Sequence, residues 1–179
     1  MTFHQRRRPF AAGAALGFGA LIATALGSCA VLAPDPGASP GRATVVGVVD
    51  GDTVELRVDS HAETARLLGI DTPETVKPGA PVDCYGPEAS ARTKELLPTG
   101  TEVRITRDVE IRDRYGRLLV YLIRDRDGLF VNRALLADGY ARTLSIAPND
   151  AHRAELARAA SEARAAGLGL WGACPLATS

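Results

Sequence analysis

Acidic and basic residues gather at four places in the chain that could carry chemistry on a metal ion or a phosphate group. These places are DGDT (residues 50–53), Arg66, DTPE (residues 71–74) and DRYGR (residues 113–117). Carboxylate oxygens are ligands that Ca²⁺ prefers, and a guanidinium group matches two phosphate oxygens at once. Each cluster by itself is also typical of an exposed turn. A catalytic function therefore requires that the fold bring them together.

A strand pairing predicts that two of the carboxylates meet. If the hairpin between the second and third strands turns between His61 and Ala62, Asp52 lies opposite Asp71. Facing carboxylates repel each other unless a cation or a shared proton neutralises them. Because hard oxygen ligands suit Ca²⁺, this register predicts a calcium site at the open end of the hairpin.

Arg66 and Glu74 supply other groups that a phosphate reaction needs. In the same register Arg66 lies opposite Arg57, within an otherwise apolar strand, where a charged side chain is costly unless it binds an anion. Glu74 follows Pro73, which fixes the turn, and could orient or deprotonate a water molecule near the metal. We therefore predict metal-assisted chemistry on a phosphate ester.

Short strands come first in the chain and helices follow. Apolar alternation and β-branched runs predict five strands, and helical periodicity with start and stop residues predicts three helices. The strands are expected at residues 44–49, 54–58, 64–70, 102–107 and 117–123, with turns at residues 50–51 and around His61, and the helices at residues 86–97, 130–138 and 148–166. This order predicts an α+β (mainly β) fold, a five-stranded OB-fold barrel with three packed helices.

Composition limits the class of protein. The chain has 179 residues, of which 46% are hydrophobic and 23% charged, so it has room for one domain with a single core and is not disordered along most of its length. Three cysteines exclude a disulfide-dense small protein. Lys plus Arg equals Asp plus Glu at 21 each, so any nucleic-acid binding has to come from local sites rather than from bulk charge.

The first residues carry the pattern of an export signal. Three arginines precede an uncharged stretch (residues 11–30) that is rich in Ala, Gly and Leu. The end of this stretch, LGSC at residues 26–29, resembles a bacterial lipobox, in which the cysteine is acylated. We expect a signal peptide at residues 1–28, a lipid-attachment Cys29 with a Pro/Gly/Ser tether at residues 29–42, and one domain at residues 43–176.

The expected location follows from this signal. The protein is expected to be exported, as an extracellular or cell-membrane lipoprotein that contacts the membrane only through its N-terminal lipid. Two alternatives stay open, because a simple secretory signal or a retained membrane helix would fit the same stretch.

Two cysteines remain if Cys29 carries lipid. Cys84 and Cys174 form an even pair in an oxidising compartment, and we expect them to be bonded to each other. Closing a loop of roughly ninety residues would stabilise the domain by on the order of 4 kcal/mol in the chain-entropy model. Trp171 is expected to pack into the core and to tie the C-terminal segment to the domain.

Four motifs, in this order and spacing, resemble the staphylococcal nuclease (thermonuclease) family. They are VDGDT (residues 49–53), RLLGIDTPE (residues 66–74), YGPEAS (residues 85–90) and DRYGR (residues 113–117). The resemblance covers about residues 43–174, and several linked motifs are far more specific than any one of them. It implies an OB-fold phosphodiesterase that cleaves DNA and RNA with Ca²⁺.

The resemblance also implies a role for each acidic residue of the site. Asp52 and Asp71 correspond to carboxylate ligands of Ca²⁺, and Thr72 to a ligand through its backbone carbonyl. Asp50 corresponds to an acid in the outer shell of the metal, and Glu74 to the general base or water-positioning residue.

Three further residues match positions that bind substrate in the family. The resemblance implies that Arg66 and Arg117 hold the phosphate and stabilise the charge of the transition state, and that Tyr115 lies beside the nucleotide phosphate. Two segments depart from the family pattern, because residues 75–84 contain one Lys and residues 144–147 contain no Tyr. Fewer phosphate and stacking contacts imply a lower affinity for the substrate.

Three functions therefore compete at this stage. The first is a monomeric nuclease that acts on DNA and RNA, preferentially when they are single-stranded. The second is an OB-fold module that binds nucleic acid or another anionic ligand at the cell surface without cutting it. The third is a surface protein whose acidic pair binds a metal to stabilise the fold. The complete set of acids and arginines favours the nuclease, since the third function leaves Arg66 and Arg117 unexplained.

Overall fold

The computed structural model describes residues 41–75 and 82–174. The predicted signal peptide, Cys29 and most of the predicted tether lie outside these residues. The strands are β1 (Gly41–Asp50), β2 (Thr53–Val58), β3 (His61–Leu67), β4 (Ile70–Asp71), β5 (Glu102–Thr106), β6 (Leu118–Arg124) and β7 (Arg142–Thr143). The helices are α1 (Gly86–Leu96), α2 (Val131–Ala137), α3 (Arg153–Ala165) and α4 (Leu170–Ala173).

Five strands close into a barrel in the order β1-β2-β3-β6-β5. All neighbours are antiparallel except β3 and β6, which run parallel. The closed five-stranded barrel with packed helices confirms the predicted mainly β OB-type fold. Closure leaves none of these five strands with an unpaired edge.

The core lies inside the barrel and under the helices. In β2 the side chains alternate, with Val54, Leu56 and Val58 buried and Glu55 and Arg57 exposed, because successive residues of a strand face opposite sides. β6 is buried along nearly its whole length, since α2 packs against it on the side away from the barrel interior. The described helices include none that is long and apolar enough to cross a lipid bilayer.

The predicted register of the β2–β3 hairpin is wrong. The turn lies at Asp59 and Ser60, so that Val58 pairs with His61 and Thr53 pairs with Arg66. Both turn residues have positive φ, 46° and 71°, a conformation that Asp tolerates and that matches the twist of a two-residue hairpin. Asp52 and Asp71 are therefore not cross-strand partners, and Arg57 lies opposite Ala62 instead of Arg66.

Four features differ from the prediction. The strand pair β4–β7 and the helix α4 were not predicted, because elements of two to four residues carry no periodicity to detect. The third predicted helix begins at Arg153 rather than at residue 148. Asn149 explains this difference, because its buried side chain bonds the backbone of Glu110 in both directions and fixes this segment as a loop. β1 begins at Gly41, two residues before the predicted start of the domain.

Candidate active site

The turn between β1 and β2 positions Asp52 in the site. Asp50 pairs with Thr53, so Gly51 and Asp52 form a tight two-residue connection. A side chain at Gly51 would meet Thr72, whose Oγ1 lies only 2.5 Å from the position of a Cβ. Thr72 in turn donates from its backbone N–H and its hydroxyl to Asp52 Oδ2, at 3.0 and 3.1 Å. The two segments are thereby fixed against each other, with Asp52 and Thr72 buried.

Arg66 joins the two carboxylates that the sequence singled out. Its Nη1 lies 2.5 Å from Asp52 Oδ2 and its Nη2 lies 3.0 Å from Asp71 Oδ1. The Arg66 side chain is 8% exposed and that of Asp71 is 51% exposed, so the cluster reaches from the protein interior to the surface. Although the predicted register is wrong, the structure does bring Asp52 and Asp71 together, through the bend between β3 and β4.

The charges in this cluster perturb one another. Burial raises the pKa of the Asp71 carboxyl above its ordinary value, the Arg66 guanidinium acts in the opposite direction, and the Asp52 carboxylate raises that pKa further. The buried Nη1 of Arg66 makes a short ionic contact with Asp52 Oδ2. Since a guanidinium carries five N–H donors, Arg66 has donors beyond its two contacts with Asp52 and Asp71.

Two acidic residues hold the loop that carries Glu74. Asp83 accepts from the Glu74 backbone N–H at 3.3 Å, and its own N–H donates to the Glu74 carbonyl at 3.1 Å. On the other side, Asp50 Oδ1 accepts from the Thr75 hydroxyl at 2.9 Å. Glu74 itself is exposed. Asp50 thus contacts the loop next to Glu74, and Asp83 and Thr75 are positioning residues that the sequence did not reveal.

The start of α1 is packed under the same loop. A side chain at Gly86 would lie 2.7 Å from the carbonyl oxygen of Glu74, so only Gly permits this approach. Cys84 and Cys174 form a disulfide, with Cα atoms 5.9 Å apart, and this bond ties the residue next to Asp83 to the C-terminal segment. No sequence motif marked the pairing of the loop with Gly86.

The DRYGR segment places Arg117 immediately before β6, the strand that pairs with the strand of Arg66. Ala65 pairs with Leu118 and Arg66 with Leu119. Arg117 thus lies two residues before Leu119, the partner of Arg66, at the end of β6 that pairs with β3. Asp113 fixes this arginine by accepting from its Nε at 2.7 Å and from its backbone N–H at 3.0 Å. The two Nη groups of Arg117 carry four further N–H donors.

Electrostatics within this segment keep Asp113 ionised. Burial acts to raise the pKa of its carboxyl, but hydrogen bonds from Arg117 and from the Tyr115 N–H outweigh burial, and the pKa lies below its ordinary value. Tyr115 is 69% exposed. Its ring lies 4.8 Å from the Arg114 guanidinium and 5.4 Å from that of Arg117. An aromatic ring between two cations at the surface is suited to an anionic, base-bearing ligand.

The donor set fits a calcium ion. Two carboxylates, Asp52 and Asp71, converge on one guanidinium, and the hydrogen bonds of Thr72 to Asp52 fix the peptide group whose carbonyl was predicted as a ligand. All of these donors are hard oxygens, which Ca²⁺ prefers, and water commonly completes its coordination. In residues 41–75 and 82–174 no three His, Cys, Asp or Glu side chains cluster as a metal site.

Comparison with known proteins identifies the class that this barrel and its acid–arginine cluster define. The sequence model of the family described as staphylococcal nuclease homologue matches residues 64–173. The thermonuclease of Staphylococcus intermedius is 44% identical over 124 residues, which cover 69% of this chain and 72% of that protein. The thermonuclease of Staphylococcus hyicus is 38% identical over 127 residues, 71% of this chain and 73% of that protein.

A bacillary relative is also similar. The endonuclease YncB of Bacillus subtilis is 38% identical over 125 residues, which cover 69% of this chain and 58% of that protein. The chain therefore belongs to the staphylococcal nuclease family. The resemblance inferred from the four motifs is confirmed.

Proposed function

We propose that this protein is a calcium-dependent nuclease that hydrolyses phosphodiester bonds of DNA and RNA by in-line attack of water. Family membership supports nuclease activity in general, and hence a hydrolase. The calcium-dependent mechanism rests on one observation, the cluster in which Arg66 joins Asp52 to Asp71. It combines oxygen ligands for a cation with a donor for a phosphate, as this reaction requires.

Asp52, Asp71 and the carbonyl of Thr72 are the groups that would hold the ion. When bound, Ca²⁺ supplies Lewis-acid charge neutralisation at a phosphoryl oxygen. Asp52 is suited to this role because hydrogen bonds from Thr72 fix its carboxylate before any ligand arrives. Such preorganisation lowers the reorganisation that the reaction would otherwise require.

Arg66 and Arg117 act on the phosphate. Arg66 offers the N–H donors that remain beyond its contacts with Asp52 and Asp71, and Arg117 offers its Nη groups while Asp113 holds its Nε. Two guanidinium groups on one phosphate stabilise the charge that spreads over its oxygens as the bond to the leaving group breaks. The same groups would bind the ground state less strongly, because the transition state bears more charge toward them.

Glu74 acts on the water. Its exposed position within a loop clamped at Asp83 and Thr75 allows the carboxylate to orient a water molecule and to accept its proton. Proton acceptance by a positioned carboxylate contributes about 10²- to 10⁴-fold in rate. The leaving oxygen takes up a proton from solvent or from a bound donor.

Substrate form and location complete the proposal. The exposed ring of Tyr115 between Arg114 and Arg117 supports a preference for single strands, whose bases are free to stack. The uncharged N-terminal stretch and the cysteine at its end support export with a lipid anchor at Cys29. The disulfide supports an oxidising compartment. We infer a monomer, since the barrel closes without a partner strand.

The test is hydrolysis of heat-denatured DNA and of RNA by the purified full-length chain, with Ca²⁺, with Mg²⁺ and with a calcium chelator. We expect cleavage with Ca²⁺ alone. Glu74→Gln should lower kcat by about 10²-fold or more, and Arg117→Ala by a comparable factor. Glu88→Gln and Arg57→Ala are matched controls at exposed positions outside the site, and they should retain full activity.

The outcome separates the competing functions. Cleavage that needs Ca²⁺ and fails in Glu74→Gln establishes the proposed roles. A folded chain that binds oligonucleotide without cutting it would establish the non-catalytic binding module instead. Cleavage at normal rates by both site variants would refute the assignment of Glu74 and Arg117.

A further inference from the structure

Trp171 is not the core residue that the sequence predicts. It lies in α4 and is only partly buried. Two guanidinium groups lie over the ring, Arg142 at 5.5 Å and Arg164 at 5.3 Å from its centroid. Both arginines are exposed. The indole therefore packs against two surface cations and does not fill the core of the barrel.

These two cations differ from the other arginines that bear on the site. Arg66 and Arg117 each have a carboxylate partner, whereas no salt bridge joins Arg142 or Arg164 to an acid among residues 41–75 and 82–174. Two like charges on one ring repel each other. An anion that contacts both would remove this repulsion and add charge-assisted hydrogen bonds.

The pair lies beside the active site. Arg142 in β7 is the direct cross-strand partner of Asp71 in β4, and residues opposite each other in an antiparallel pair project to the same face. A strand whose phosphate occupies the Arg66 cluster would therefore pass next to Arg142.

The C-terminal segment is held rigidly where it supports Trp171. The Leu170 N–H donates to the Gly139 carbonyl at 2.8 Å. A side chain on Gly169 would lie 2.3 Å from that same oxygen, and one on Gly172 would lie 2.4 Å from the Gly167 carbonyl. Close backbone packing of this kind needs glycine. A fixed indole lowers the entropy lost when its arginines bind a ligand.

We propose that Arg142, Arg164 and Trp171, here called the arginine–tryptophan platform, form a second phosphate subsite that binds the backbone of a single-stranded nucleic acid beyond the scissile phosphate. The inference rests on the proposed nuclease function and adds a substrate contact to it. It also supplies cations that the Lys-poor residues 75–84 lack. Since the contact is to phosphate, it is independent of base sequence.

The chain contains a single tryptophan, so its fluorescence reports on the platform alone. The experiment titrates the full-length chain with an oligothymidylate, in a calcium chelator so that no cleavage occurs. We expect a saturable change in Trp171 emission. The logarithm of the affinity should fall linearly with the logarithm of salt concentration.

Substitution of the arginines identifies the contact. Arg164→Gln should weaken binding and reduce the salt slope by about 0.7, the value for one lost phosphate contact on a single strand. Arg158→Gln is the matched control, because it removes the same charge from an exposed position of α3 without touching the indole. In hydrolysis with Ca²⁺, Arg164→Gln should raise KM more for a long oligonucleotide than for a dinucleotide, with kcat little changed.

Two outcomes overturn the inference, and they differ in what they say of the nuclease. If the wild-type chain cleaves DNA but Arg164→Gln and Arg158→Gln give the same salt slope, with no change in Trp171 emission, the platform is structural only and the nuclease stands. If the wild-type chain neither binds nor cleaves oligonucleotides, the proposed function fails and the platform with it.

Discussion

Replacement of Thr93 by Val tests how a buried hydrogen bond stabilises the turn between β1 and β2. Thr93 in α1 is fully buried, and its hydroxyl donates to the Gly51 carbonyl at 2.6 Å. Gly51 belongs to the turn that delivers Asp52 to the cluster. Valine has nearly the shape of threonine, so Thr93→Val removes the hydrogen bond without opening a cavity.

The expected loss of stability follows from the buried carbonyl. Gly51 is itself buried, so its oxygen cannot bond to bulk water once the hydroxyl is gone. An unsatisfied buried acceptor costs about 1–3 kcal/mol. We expect the free energy of unfolding to fall by about 2 kcal/mol, which lowers the folding equilibrium constant by about 25-fold.

Urea denaturation of the two proteins measures this difference. Thr99→Val is the matched control, because the Thr99 hydroxyl also donates to a backbone carbonyl, that of Val46 in β1 at 3.1 Å, but at an exposed position where water can replace it. The control should change the free energy by no more than about 0.5 kcal/mol. Equal effects of the two substitutions would show that the turn does not depend on the buried bond, and the reasoning from burial would be refuted.

The remaining predictions concern the loop, the disulfide and an ion pair. Asp83→Ala should lower kcat for DNA hydrolysis by about 10- to 100-fold with little change in KM, because a displaced Glu74 loop misplaces the water. An unchanged kcat would show that the hydrogen bonding of Asp83 to this loop is not needed for catalysis. The double substitution Cys84→Ser/Cys174→Ser should lower the free energy of unfolding by about 4–5 kcal/mol, the loop entropy of a separation of 90 residues, and a urea midpoint equal to that of the wild type would contradict it. Asp127→Asn should destabilise the fold at pH 7 but not near pH 2. The hydrogen bond from Arg124 lowers the pKa of Asp127 to about 2. The stability that the ionised carboxylate contributes is therefore present above its ordinary pKa, near 4, and is lost as pH falls through its pKa in the folded protein. Denaturation at both pH values measures this difference, and a pH-independent effect would exclude the ion pair as its cause.

Local patterns were sufficient for most of the fold. Alternation in β2, the apolar run of β6 and the Pro at the start of α1 predicted those elements, because burial of one face and the stereochemistry of turns act over a few residues. The elements of two to four residues escaped detection. The register of the β2–β3 hairpin was missed because a shift of the turn by two residues preserves the alternation of buried and exposed side chains.

The sequence by itself determined the family and which acids and arginines were predicted for the site. The acids and arginines stand in motifs whose order and spacing identified the family, and Asp52, Arg66 and Asp71 do meet. Only the tertiary structure decided how they meet: through the guanidinium of Arg66, over a turn bonded to Thr93, and beside a loop clamped by Asp83. Contacts between residues far apart in the chain depend on the packing of whole elements, and no local pattern encodes the hydrogen bonds that such packing creates.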